Sequence, residues 1–267
     1  MFLLFGCGSL FLYPSKQFYP IPKEVYSRFS QVELNDSDGP KLIVWKFKSK
    51  KEKGVVVFLH GNAGNLSTQF SIPFWLSENA YTTYALDYRG FGGSEGVDSV
   101  AGSYEDAKRL IRYVESENRD SELIFYGQSF GATLALSLSC NPELRSKFKK
   151  IVADSGFSSF SGIIKDKLAE RWLSAPLFPL AYFFSDKFSP DVCLSNSNLS
   201  DVSSNSYILL HSESDDTVPF KHAKRIKEIL GEKSRLIISK NQPHNSVLND
   251  PIVQDELLKA LAGKSLL

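Results

Sequence analysis

Gly127-Gln128-Ser129-Phe130-Gly131 places one serine between two glycines. The β-prone run that starts at Ile124 ends there, and the apolar, helix-like run that ends at Leu138 begins there. Gly-x-Ser-x-Gly at a strand-to-helix turn is the nucleophile elbow. The bend forces its central residue into strained backbone, and side chains at the flanking positions would clash, which accounts for Gly127 and Gly131. The bend also lifts the serine hydroxyl to the positive end of the helix that follows. A serine hydroxyl is a weak nucleophile near neutral pH. It needs a base, and the base needs an orienting carboxylate.

In an elbow of this type the acid and then the histidine follow the serine along the chain. Of the four histidines, His60 precedes Ser129, and His211 ends a strand upstream of the acid candidates. His222, beside Lys221 and Lys224 on a helical stretch, reads as part of a solvated face. His244, in "KNQPHNSVLND" after the last strand, is the predicted base. An imidazole base predicts activity that rises as the ring loses its proton, around pH 6–7. The acid is expected in "YILLHSESDDTVPF", where Asp215 and Asp216 are adjacent and Glu213 is close. Residue chemistry does not separate Asp215 from Asp216, since either could instead cap the helix that starts near Pro219. The small residues of "VVVFLHGNAGN" let backbone N–H groups approach a substrate oxygen. The N–H groups of Asn62 and Phe130 are the expected oxyanion donors, worth roughly 3–4 kcal/mol each in the transition state. The same loop lacks the Gly-Lys-Ser/Thr ending of a phosphate-binding loop.

These residues need a scaffold, and the chain alternates strands with helices. Strand character runs over Lys41 to Phe47, Val55 to Leu59, Tyr81 to Leu86, Leu123 to Tyr126, Ile151 to Ala153, Tyr207 to Leu210 and Leu236 to Ile238. Val55 to Leu59 is continuously apolar, as in a strand buried on both faces. Ser103 to Glu117 carries Ala107, Leu110, Ile111 and Val114 on one helical stripe. Thr133 to Leu138, Lys221 to Leu230 and Val253 to Leu261 are further predicted helices. The pattern predicts an α/β fold with a mostly parallel central sheet flanked by helices. Residues 1–33 read as an apolar, then Pro- and Tyr-rich, leading segment, and 34–267 as one domain. A lid insertion is expected at about 157–206, because Trp172, Phe178, Tyr182, Phe183 and Phe184 need apolar cover or an apolar ligand.

With 267 residues, 31 basic and 30 acidic side chains and a net charge of +1, no field of one sign favours nucleic acid. The 42% hydrophobic and 23% charged content is that of an ordered globular chain. Three cysteines are too few for a disulfide scaffold, and Cys140 and Cys193 read as unpaired apolar fillers. No His/Cys cluster has zinc-ligand spacing, and the chemistry calls for no metal and no organic cofactor. The uncharged opening "MFLLFGCGSLFLY" is too short to span a bilayer, which takes roughly 20 residues. Leu4-Phe5-Gly6-Cys7 resembles a bacterial lipobox, with Cys7 as the acylated residue.

"LHGNAGN", "DYRGFGGSEG", "GQSFGA" and "HSESDDTVPF" followed by "PHN" stand in one order, and together they resemble the α/β-hydrolase superfamily. The likeness runs from about Leu34 to the C-terminus. It is greatest to a serine-hydrolase branch that includes bacterial α/β-hydrolase lipoproteins, S33-peptidase-like hydrolases and protein depalmitoylases. The resemblance implies Ser129 as nucleophile, Asp215 as acid and His244 as base, with Ser212 standing where the branch commonly has glycine. The Asp87–Ser94 loop is similar to one that lines the site's edge in the family. The implied function is cleavage of carboxylic esters or thioesters, with a small-molecule or acyl-chain substrate. An S33-like peptidase and a non-catalytic binding module are the alternatives. The resemblance also supports membrane association through a lipidated N-terminus in a bacterial envelope, with a cytoplasmic protein as the other reading.

Overall fold

The structure is a computed structural model that describes residues 11–169, 186–204 and 206–263. The described residues fall into two compact units, divided between Phe125 and Tyr126.

The first unit holds strands β1 (Phe29–Leu34), β2 (Leu42–Phe47) and β3 (Gly54–Leu59), helix α1 (Ser71–Glu78), strand β4 (Tyr81–Asp87) and helix α2 (Val100–Glu117). Strand β5 (Leu123–Gln128) crosses the division. β3 runs parallel to β4, while β2 is antiparallel to both β4 and β1. All six residues of β3 are buried, as its unbroken apolar run requires of a strand covered on both faces. β1 is not legible beforehand because "FSQVEL" is mostly polar, and only Leu34 of it is fully buried. α2 starts where the Ser99 side chain accepts the Gly102 N–H at 3.0 Å, which supplies a partner for an N-terminal donor. Its stripe of Ala107, Leu110, Ile111 and Val114 is buried as expected.

The second unit contains α3 (Phe130–Leu138), β6 (Phe148–Asp154), α4 (Phe160–Ala169), α5 (Pro190–Ser195), β7 (Tyr207–Ser212), α6 (Lys221–Leu230), β8 (Ser234–Ser239) and α7 (Pro251–Leu261). β6, β7 and β8 pair in parallel, with Ile151 and Ser234 on either side of Tyr207. Parallel pairing brings the ends at Asp154, Ser212 and Ser239 to one edge, where sites collect in open α/β sheets. Every residue of α3 is buried, so this helix has no solvent face. Mostly parallel strands with flanking helices are the α/β class read from the sequence.

The cysteine reading is corrected. Cys140 and Cys193 form a disulfide, with Cα atoms 5.9 Å apart across 53 positions of sequence. α3 packs on α5, and Cys140, just past the end of α3, thereby meets Cys193 within α5. Sequence distance hides this pairing. Of the expected lid, α4 and α5 are described, whereas Trp172, Phe178, Tyr182, Phe183 and Phe184 lie outside the described residues. So does Cys7. Among the described residues no helix is long and apolar enough to cross a membrane.

Candidate active site

β5 delivers its apolar run to Gly127, and the chain then turns through Ser129 with φ 52° and ψ −115°. Positive φ is costly for a residue with a side chain, so the turn stores strain at the serine. A Cβ on Gly127 would come within 2.2 Å of the Gly131 carbonyl oxygen, which makes glycine obligatory there. The bend is fixed from two sides. The Ser129 N–H donates to the Asp154 carbonyl at 2.7 Å, and the Thr133 N–H donates to the Ser129 carbonyl at 3.1 Å.

The two loops that face this bend are joined to each other. Glu213 N–H donates to the Ser239 carbonyl at 2.8 Å, and the Ser214 hydroxyl to the Lys240 carbonyl at 2.7 Å. Gln242 N–H donates to the Ser212 hydroxyl at 3.2 Å. The structure separates the two aspartates that residue chemistry left equivalent. Asp215 Oδ1 accepts from the N–H groups of Thr217 and Val218 at 2.9 and 2.7 Å, and its Oδ2 lies 2.8 Å from His244 Nδ1. Asp216 instead takes the Thr217 hydroxyl at 3.2 Å and the His244 main-chain N–H at 3.4 Å. Burial works against a charge on Asp215. The hydrogen bond and field of the His244 ring, with the Val218 and Thr217 N–H groups, outweigh it and hold the carboxyl below the ordinary carboxylate range.

An ionised Asp215 only accepts, so the proton on the His244 ring sits on Nδ1 and the Nε2 lone pair is free. That Nε2 lies 2.9 Å from Ser129 Oγ. Ser129, His244 and Asp215 thus form one hydrogen-bonded chain that can pass a proton from hydroxyl to imidazole. Of the two expected oxyanion donors, Phe130 is the first residue of α3 in the second unit. Asn62 belongs to the first unit, where its side chain donates to the Phe11 carbonyl at 2.7 Å.

The other histidines have structural partners. His60 is fully buried, with Nδ1 2.7 Å from the Gly61 carbonyl. His211 is buried and places Nε2 2.9 Å from the Val218 carbonyl, and burial lowers its pKa. His222 is not on a solvated face: only 4% exposed, it is held between Ser158 and Asp166. The flanking lysines misled the sequence reading, because α6 turns His222 inward while Lys221 and Lys224 point out. One buried acid escaped the sequence reading altogether. Asp154, at the end of β6, is fully buried and accepts from the hydroxyls of Tyr126 at 3.0 Å and Ser155 at 2.9 Å. Burial pushes its pKa up to about 6 against those two hydrogen bonds. An acid closing the apolar run "IVAD" was the available signal. Among the described residues no group of three His, Cys, Asp or Glu side chains could hold a metal ion.

The family model described as serine aminopeptidase, S33, matches residues 50–226. The chain belongs to this family. The matched range contains Ser129 and Asp215 and ends before His244, and the grouping of all three is read from geometry. Among relatives, the uncharacterized protein YfhR of Escherichia coli K12 is 26% identical over 250 residues, covering 91% of this chain and 81% of its own. The lysophosphatidylserine lipase ABHD12 of Danio rerio is 28% identical over 207 residues, covering 72% of this chain and 51% of its own. Among solved structures, the Pyrococcus furiosus esterase Pf2001 superposes with a TM-score of 0.73 at 17% identity, covering 95% of this chain and 99% of its own. That last likeness is one of fold, and the fold is that of the α/β hydrolases.

Proposed function

We propose that the chain is a serine hydrolase that cleaves carboxylic esters or thioesters through an acyl-serine intermediate. The observation that carries this reading is the chain of contacts from Ser129 Oγ to His244 Nε2 and from His244 Nδ1 to Asp215 Oδ2, at 2.9 and 2.8 Å. In the reaction, Ser129 Oγ attacks the acyl carbon and gives its proton to His244 Nε2. The carbonyl oxygen becomes an oxyanion, received by main-chain N–H groups, that of Phe130 among them. His244 then returns the proton to the leaving alcohol or thiol as the acyl–O or acyl–S bond breaks. A water, deprotonated by the same Nε2, releases the acid and restores Ser129. Asp215 stabilises the imidazolium at each stage.

An apolar acyl group is the proposed substrate feature. The aromatic residues between Trp172 and Phe184 support it, as does kinship to a relative named for lysophosphatidylserine, itself an acyl ester. Anchoring through a lipid on Cys7, in a bacterial envelope, remains our proposal for location. The Cys140–Cys193 bond supports an oxidising compartment for the domain. Incorporation of an alkynyl fatty acid that is lost in Cys7→Ser is the expected result, and equal labelling of both proteins would refute the anchor.

A fluorophosphonate probe tests the main reading. The wild type is expected to label and Ser129→Ala is not. A folded wild type that never labels would instead make the chain a binding module. Turnover of p-nitrophenyl esters is expected to rise from acetate to longer acyl chains. Hydrolysis of aminoacyl p-nitroanilides in preference to every ester would replace the esterase with the peptidase named in the family's description.

A further inference from the structure

Asp154 is a buried acid among neutral partners. Its side chain is fully covered, and the groups that face it directly are the Tyr126 hydroxyl, the Ser155 hydroxyl and the amide of Gln128. The His244 ring and the Asp215 carboxylate lie within electrostatic range, the first favouring the Asp154 carboxylate and the second opposing it. A carboxylate buried without a cation is costly, which is why its proton is held until about pH 6. Such a group calls for a task that an apolar side chain would not perform.

Gln128 points to that task. It immediately precedes Ser129, and its Nε2 lies 3.2 Å from the Asn245 carbonyl and 3.5 Å from Asp154 Oδ2. Both neighbours are acceptors, so they select the NH₂ end of the amide over its oxygen. Asn245 immediately follows His244 and has φ 60°, a left-handed turn that asparagine tolerates and that directs its carbonyl to the Gln128 amide. On the acid side the same loop is tied through the long 3.4 Å contact of the His244 N–H with Asp216. Asp154 also holds the bend through its main chain, by accepting the Ser129 N–H at 2.7 Å.

We propose that Gln128 and Asp154 are positioning residues for His244: Asp154 aims the Gln128 amide, and the amide pins the backbone after His244 at hydrogen-bond distance from Ser129. The residue beside the nucleophile thereby fixes where the base stands. The inference rests on the serine-hydrolase reading. It adds that the spacing between hydroxyl and imidazole is set by a side chain outside the Ser–His–Asp set.

Steady-state kinetics with a p-nitrophenyl ester and the rate of fluorophosphonate labelling test it. Gln128→Met keeps the length of the side chain and removes its donors. Its kcat is expected to fall about tenfold or more, because small displacements between reacting groups are costly. KM should stay within about twofold, and labelling should slow by the same factor as kcat. Amide hydrogen exchange should quicken in the 241–250 loop and not in α3. Asp154→Asn retains one acceptor oxygen and is expected to lose less than Gln128→Met. If Gln128→Met does not fold, Gln128→Asn, which keeps the amide without its reach, should show the same loss of kcat. A folded Gln128 variant with kcat within twofold of wild type would overturn the proposal, as would a loss confined to KM. A wild type that neither turns over ester nor labels defeats the hydrolase reading itself, and is distinguished by its failure before any variant is made.

Discussion

The second unit holds two Ser–His–Asp sets at nearly the same distances. In one, Ser129 Oγ lies 2.9 Å from His244 Nε2, and Asp215 Oδ2 lies 2.8 Å from Nδ1. In the other, Ser158 Oγ lies 3.0 Å from His222 Nδ1, and Asp166 Oδ2 lies 3.0 Å from Nε2. The difference lies in what else each group touches. His222 donates its Nε2 proton to the Asp166 carboxylate, so Nδ1 of His222 carries the ring's lone pair. That lone pair also receives the Ser158 main-chain N–H at 3.2 Å. The base of the second set is therefore already occupied by a donor that cannot leave. Asp166 in turn is paired with the Lys221 ammonium, whereas Asp215 is held by main-chain N–H groups and the imidazole. Ser129 sits at a strained bend ahead of a helix, and Ser158 is absent from the positive-φ residues. The second set fastens α6 to α4 and to the chain after β6. Residue types at hydrogen-bond distance do not make a catalytic base; a free lone pair facing a presented hydroxyl does.

The largest effects should fall on the serines. Ser129→Ala is expected to lower kcat/KM by about 10⁵-fold or more, since loss of the nucleophile costs about as much as loss of the whole set. Ser158→Ala should stay within about threefold, because His222 keeps the main-chain N–H. Ester turnover measured side by side decides, and comparable losses in both variants would make the two sets functionally equal. The acids come next. Asp215→Asn replaces the carboxylate that fixes the Nδ1 proton with a neutral amide that can turn its NH₂ to the ring and favour the wrong tautomer, and kcat is expected to fall about 10³- to 10⁴-fold. Asp166→Asn should leave kcat nearly unchanged and lower unfolding free energy by about 1 kcal/mol, the scale of one partly buried hydrogen bond.

What made the first set legible was local chemistry. The elbow glycines, the apolar runs and the chain order of serine, acid and histidine are all written in short stretches, and the structure places those residues together. The choice between Asp215 and Asp216 was not, because it depends on which carboxylate the loop turns toward the ring. Nor were contacts made across the fold. His222 reads as exposed beside two lysines, yet packing of α6 buries it. Cys140 and Cys193 meet only because α3 packs on α5. Asp154 lacks a motif, and its meaning emerges only when β5 and the 240–250 loop bring Tyr126, Gln128 and Asn245 to it. Strands and helices with strong periodicity were legible; the half-polar strand β1 was not.

Two buried carboxylates of the second unit should answer pH in opposite senses. Asp215 is held below the ordinary range, so its contribution to stability is present above the unfolded pKa and is lost on strong acidification. Asp154 has its pKa raised from 3.8 to about 6, so the native state binds that proton more tightly than the unfolded chain. Stability from this group therefore falls as pH rises from about 4 to about 6, by at most about 3 kcal/mol. Asp154→Asn does not titrate. The stability of wild type relative to this variant, from urea unfolding, should decline across that window and level off above it. A difference independent of pH would show that the carboxylate is not disfavoured by its surroundings.

The smallest effect should come from the second set itself. Burial lowers the His222 pKa below 6.5, and the Asp166 carboxylate only partly offsets it. The native state thus prefers the neutral ring, whose Nδ1 lone pair accepts from Ser158. Below about pH 6.5 the unfolded chain takes up a proton that the native ring resists, so stability from this site is complete above 6.5 and drains away as pH falls toward the native pKa. His211 is shifted the same way by burial and titrates in the same window. A direct Tm-against-pH curve would mix the two, and subtracting a His222→Gln variant removes the His211 share to the extent that the two sites are independent. The gap between wild type and His222→Gln should narrow from pH 7 to pH 5, with ester turnover at pH 7 little changed. A gap that widens on acidification would mean that the ring is held as an imidazolium by Asp166, and the lone pair credited to Ser158 would not exist.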